Sequence, residues 1–258
     1  MVKLYRDHAV VLRTHPLGEA DRIITLLTRG HGKVRAVAKG VRKTGSRFGA
    51  RLEPFGLVDI QLHRGRNLDT VTQVVTIESF AESVTSDYAR FTAASAMLET
   101  VDRLTDDTVE PSGRGFLLLV GAMRAIAAGR IPPDLVLDSF LIRMLALAGW
   151  APELRVCASC GADGPHHAFD VSAGGLVCTA CRRPGAVAVR QVAVEHLIFL
   201  LAGDWEHVLE ADAPVALEAS RLIADTITWH LERSVRSFGY VERGTPGTGN
   251  VEHSELER

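Results

Sequence analysis

Cysteine is absent from this 258-residue chain except between residues 157 and 181, where all four copies lie. A framework of disulfides stapling the whole fold is therefore excluded. Long apolar runs are also missing. Nothing approaches the eighteen or so residues of a membrane span, and His196–Ala202 has the length of a core helix. The opening Met1-Val2-Lys3-Leu4-Tyr5-Arg6-Asp7 is charged where an export signal needs an apolar stretch, which predicts a cytoplasmic protein. The chain has no G-x4-G-K-[ST] phosphate loop, no H-E-x-x-H and no G-x-S-x-G. Gly32-Lys33-Val34 lacks both the earlier glycine and the hydroxyl of a phosphate loop. A non-enzymatic protein is the expectation. Finally, residues 33–51 contain no acid.

The rest of the composition is ordinary for a globular protein, at 47% hydrophobic and 23% charged, and the length accommodates two domains. The net charge of −2 conceals a division. Residues 1–80 hold 14 Lys and Arg against 7 Asp and Glu, whereas the remainder holds 15 against 24. A basic front on an acidic body predicts a polyanion bound at one end.

The cysteines form two pairs, Cys157-Ala158-Ser159-Cys160 and Cys178-Thr179-Ala180-Cys181, or C-x2-C-x17-C-x2-C. Two residues between thiolates let one tight turn present both sulfurs to one ion, and two such turns complete a tetrahedron. The spacing predicts one structural Zn²⁺ per chain on Cys157, Cys160, Cys178 and Cys181, because four thiolates leave no open position for chemistry. Two disulfides or four free thiols are the alternatives. His166 and His167 could replace a cysteine, though a solvated turn role suits them better.

Alternation and turn residues predict strands over His8–Thr14, Arg22–Thr28, Lys33–Ala38, Gly56–Leu62 and Leu68–Ile77. Five short strands with no crossover helix favour an antiparallel barrel of OB type, although an SH3-like barrel fits the same pattern. From Phe80 the period becomes helical. Ser86 is the expected N-cap of a helix carrying Tyr88, Phe91, Ala94, Leu98, Val101 and Leu104; further helices follow over Gly115–Ala128, from Pro132-Pro133 to Gly149, over Val192–Ala202 and over Ala213–Ser234. Short strands are expected at Ala168–Val171 and Gly175–Val177. The fold class is thus α+β: an OB-type barrel (1–80), then a helical domain (81–242) interrupted at 152–188 by the cysteine module, then a disordered tail (243–258).

The acid-free run supplies Lys33, Arg35, Lys39, Arg42, Lys43, Arg47 and Arg51. The first three alternate along a strand and should share its outward face, while Arg42, Lys43 and Arg47 occupy a glycine-containing loop. A basic strand beside such a loop is how a barrel grips a nucleic-acid backbone. Tyr5 and Phe48 could stack on bases, with core packing preferred for Phe48. Two other functions compete. One is a sequence-specific transcription regulator reading DNA through the cysteine module and Arg182, Arg183 and Arg190; yet residues 157–181 carry Asp163 and Asp170 and no Lys or Arg. The other is a metal-dependent nuclease using Asp59 and Asp69, which lie on different strands.

The segments Ala9–Arg13, Gly18-Glu19-Ala20-Asp21-Arg22-Ile23-Ile24-Thr25-Leu26-Leu27-Thr28, Gly32–Gly40 and Arg47–Phe55 together resemble the bacterial RecO family of recombination mediators, in its cysteine-bearing form. The likeness covers about residues 1–240. It implies a DNA repair role in the RecF pathway: binding single- and double-stranded DNA, annealing complementary strands, and acting with RecR to load RecA onto strands coated by single-strand-binding protein (SSB). It also implies capture of that protein's acidic, apolar C-terminal tail, for which Arg124, Arg130 and Arg143 are candidates, and a location at the bacterial nucleoid with no membrane association.

Overall fold

The segment Ala9-Val10-Val11-Leu12 does not alternate, and the computed structural model, which describes residues 3–44, 46, 48–105, 113–231 and 235–241, explains why. These residues belong to strand β1 (Leu4–Leu17), whose two faces are both covered. Ala9 and Val11 point into a barrel with Ile24, Leu26, Ala36, Val58, Ile60 and Leu62. Val10 and Leu12 point outward, into a second core shared with the helices. A strand buried on both sides needs no polar residue at every second position.

The barrel contains β1, β2 (Asp21–Thr28), β3 (Gly32–Ala38), β4 (Gly56–His63) and β5 (Asp69–Ser79), and it closes in the order β1-β2-β3-β5-β4. β1 is long enough to serve both neighbours, pairing through Ala9–Leu17 with β2 and through Leu4–Val10 with β4. A register shift between Val11 and Arg13 bends it from one to the other. The barrel closes where β3 meets β5 in parallel, Ala36 opposite Asp69 and Val37 opposite Thr70. This is the OB arrangement. Phe48 and Leu52, from the β3–β4 connection, plug the interior at 2% and 1% exposure.

Helices follow: α1 (Ala81–Thr85), α2 (Tyr88–Leu104), α3 (Arg114–Ala128), α4 (Pro133–Leu147), α5 (Gln191–Ala202), α6 (Trp205–Glu210) and α7 (Ala213–Leu231). The N-cap of α2 is Asp87, whose carboxylate accepts the Arg90 amide at 2.8 Å; Ser86 instead ends α1, too short to have been read from periodicity. Gly129 and Gly203 end α3 and α5 at positive φ, where a Cβ would be strained. α4 is buried continuously from Leu135 to Ile142, as befits the central helix of a bundle. The end of the expected helix over 213–234, and the tail beyond Val241, lie outside the described residues. No helix among the described residues is long and apolar enough to cross a membrane.

Between α4 and α5 a three-stranded sheet in the order β7-β6-β8 joins β6 (Ala168–Asp170), β7 (Gly175–Leu176) and β8 (Val187–Ala188). Leu154, Phe169, Leu176 and Val189 are buried in the helical core, while Cys157, Ala168 and Val177 form a small cluster of their own. So slight a cluster cannot hold a fold by itself.

Candidate metal centre and nucleic-acid interface

The two C-x2-C turns face each other across the β6–β7 hairpin. One ligand atom from each of Cys157, Cys160, Cys178 and Cys181 lies within 4.8 Å of every other, with Cys160 and Cys178 sulfurs 3.9 Å apart. Tetrahedral bonds of ~2.3 Å require sulfurs about 3.8 Å apart. Backbone geometry fixes the turns: the Gly161 amide donates to the Cys157 carbonyl at 2.8 Å and the Cys181 amide to the Cys178 carbonyl at 3.1 Å. Gly175 brings the hairpin against residue 153, since a Cβ there would lie 2.3 Å from the Glu153 carbonyl oxygen.

The cysteines' electrostatics also suit a cation. The Cys178 amide, donating to the Cys157 sulfur, lowers that thiol to about 6 against the opposing effect of burial. Hydrogen bonding with Cys160 and Cys178, then burial, pushes Cys181 up to about 12. Four sulfurs this close cannot all ionise unless a positive ion sits among them. The site can therefore bind a metal ion through four thiolates. His166 is buried, not solvated, and its Nε2 lies 3.0 Å from the Ala162 carbonyl; His167 is exposed. Neither belongs to the four-sulfur group.

The basic residues divide into two sets. Arg35, Lys39, Arg42 and Lys43 are exposed, and among the described residues none has a carboxylate at ion-pair distance. The 39–44 segment is built against the β1–β2 turn: the Arg42 amide donates to the Ala20 carbonyl at 3.0 Å, its guanidinium to the Gly18 carbonyl at 3.3 Å, and the Gly40 amide to the Asp21 carboxylate at 2.7 Å. Arg51 is exposed on a 3-10 turn, Gly49–Leu52. Arg47 lies outside the described residues.

Lys33 differs. It points outward as its place in β3 dictates, but that outward side faces α2. Its ammonium donates to the Asp102 carbonyl at 2.8 Å and lies 3.8 Å from the Asp102 carboxylate, which also holds Arg13 at 2.8 Å. Lys33 and Asp102 side chains are each only 15% exposed, so Lys33 ties the barrel to the bundle and is not displayed to solvent with Arg35. Strand alternation alone does not reveal which outward side another domain covers.

Phe48 is core, as its sequence context suggested. Tyr5 is not a free stacking platform: its ring packs 4.5 Å from His31, Arg64 lies 5.2 Å from its centroid, and its hydroxyl donates to Asp69. Burial, then that hydrogen bond, raises the phenol well above its ordinary range. With Asp69 so engaged and Asp59 bound bidentately by Arg6 at 2.7 Å, the two carboxylates proposed for a nuclease each have other work.

A groove of about 660 Å³ runs between α3, α4 and the start of α6. Leu117, Phe140, Leu147 and Trp205 supply its apolar lining, with Arg114 and Arg143 among the residues around it. Arg143 was a sequence candidate; Arg114 was missed, because only folding brings 114 near 143. Arg124 is paired with Glu78 at 2.9 Å instead, and Arg130 is exposed away from the groove lining.

Residues 1–80 match the family described as Recombination protein O N terminal, and residues 85–238 match Recombination protein O C terminal. The chain is similar to a DNA repair protein RecO of Nocardioides sp. (strain ATCC BAA-499 / JS614), 56% identical over 243 residues that cover 93% of this chain and 100% of the relative. The chain belongs to the recombination protein O family, proteins of DNA repair and recombination.

Proposed function

We propose that this chain binds single- and double-stranded DNA on the cationic face of its barrel, through Arg35, Lys39, Arg42, Lys43 and Arg51, with Arg47 continuing the run. Annealing of complementary strands follows from that face. Two strands repel through their phosphates, and exposed cations on a built loop screen the repulsion without reading bases. The observation carrying this reading is the acid-free run 33–51 seated on a closed OB-type barrel in a member of a recombination family.

In the fuller reading the protein acts with RecR, in the RecF pathway near the nucleoid, to load RecA onto SSB-coated strands. The groove between Arg114 and Arg143 has the chemistry for SSB's tail: arginines for its carboxylates and an apolar floor for its hydrophobic end. The four thiolates hold one Zn²⁺ that fixes the hairpin to the bundle. A zinc-bearing transcription regulator is disfavoured by the paucity of cations within residues 157–181.

The test is annealing of complementary oligonucleotides, bare and SSB-coated, with bound metal quantified on the same sample. Salt-sensitive annealing without sequence preference, and about one zinc per chain, is the expected result. Failure to bind oligonucleotides even at low salt would overturn the DNA reading whatever the metal content.

A further inference from the structure

The β4–β5 loop, Arg64-Gly65-Arg66-Asn67-Leu68, lies outside the run described above, yet the topology brings it to the same face. β5 enters the barrel beside β3, with Asp69 opposite Ala36, so the loop arrives next to Arg35. It is also built in place. A Cβ on Gly65 would lie 1.9 Å from the Leu68 carbonyl oxygen, a clash only glycine avoids, and the Gly65 amide donates to the Asp69 carboxylate at 2.9 Å. The Arg64 amide donates to the Lys3 carbonyl at 2.6 Å, and its guanidinium sits 5.2 Å from the centroid of the Tyr5 ring, which Asp69 and His31 hold from other sides.

Both arginines are exposed, and among the described residues neither meets a carboxylate at ion-pair distance. The nearest acid in sequence, Asp69, has one oxygen on the Tyr5 hydroxyl and the other on the Gly65 amide. Cation–π packing on Tyr5 leaves a guanidinium its hydrogen-bond donors, so it orders Arg64 without satisfying it. An ordered arginine with unused donors is suited to a phosphate.

We infer that Arg64 and Arg66 bind phosphates of the same nucleic-acid strand that crosses Arg35, extending its path from the 39–44 segment, along β3, to the β4–β5 loop. This rests on the DNA reading of the cationic face. It adds that the strand's path is set by two loops separated by β3, so that site length is determined by the barrel and not by the acid-free run alone.

Anisotropy titrations of a labelled oligo-dT at several salt concentrations test it, using the full chain, the double variant R64A/R66A, the triple variant K39A/R42A/K43A and the control R64K/R66K. The double variant should lose on the order of tenfold in affinity at low salt, and its slope of log K against log salt should shrink by about 1.4, or ~0.7 per phosphate. The lysine control should keep most of that slope, since a point charge still neutralises a phosphate, and this separates lost charge from a disturbed loop. If the triple variant weakens binding while R64A/R66A matches the unaltered chain in affinity and slope, the extension is overturned and the original face stands. If the unaltered chain binds no oligo-dT, the face itself is refuted.

Discussion

The cysteine module and the cationic face stand at opposite ends of what a sequence can specify. In the module, four side chains converge on one point, so spacing and turn chemistry together dictate the geometry, and sulfurs lie within 4.8 Å of one another. On the barrel, the cations are spread along a strand and two loops, and nothing within the chain requires them to be near one another. Convergent sites are specified internally; extended sites are specified by the shape of an external partner. The first should fail all at once when altered, the second by increments.

Metal removal is the largest expected effect. Chelation, or Cys157→Ser, should release the hairpin and withdraw Phe169 and Leu176 from the helical core. At roughly 1.5–3 kcal/mol per buried side chain, the bundle would lose about 3–6 kcal/mol. Hydrogen exchange should show the 154–190 segment losing protection while the barrel strands keep theirs. Unchanged protection in that segment would mean that the hairpin needs no ion, and the contrast between the two regions would dissolve.

The face should respond by degrees. The K39A/R42A/K43A variant is expected to lower the salt slope for single strands by about 2, three contacts at ~0.7 each, and to leave the melting temperature nearly unchanged because all three side chains are exposed. Lys33→Ala should do the reverse. Its ammonium is packed against Asp102, so the variant should lose about 1 kcal/mol of stability in a denaturant titration and leave the salt slope alone. A slope that falls in K33A as much as in a single exposed-lysine variant would return Lys33 to the DNA face.

Lys33 and Arg35 also mark the limit of sequence reading. The barrel was legible because its strands alternate or are bounded by glycine turns, and the four-sulfur cluster because four cysteines in pairs admit few arrangements. Helix boundaries held where glycine closed them, as at Gly129 and Gly203. What failed was whatever depends on the docking of one unit against another. Lys33 and Arg35 have the same pattern in the sequence, and only the α2 carboxyl end distinguishes them. Arg114 met Arg143, and the β4–β5 loop met β3, through tertiary convergence with no local signal. The six-residue α6 and five-residue α1 are too short for periodicity to register.

His196 provides the finest test, a buried group belonging to neither region. It lies on α5 at 2% exposure, and neither ring nitrogen has a hydrogen-bond partner among the described residues. Burial lowers its pKa, so the native state holds it neutral in a range where the unfolded chain binds a proton. The unfolded state then carries the extra proton, and stability must rise with pH across that window. Stability should be constant above the unfolded value near 6.5 and decline as pH falls below it, by at most about 1.4 kcal/mol per pH unit for a single proton. Urea midpoints between pH 5 and 7.5, compared with H196L, should show that acid limb flattened in the variant. The metal must be held saturating throughout, because thiolate protonation would release it over an overlapping range and steepen both curves together. An acid limb of equal steepness in H196L would assign the pH dependence elsewhere and leave His196 a passive filler of the core.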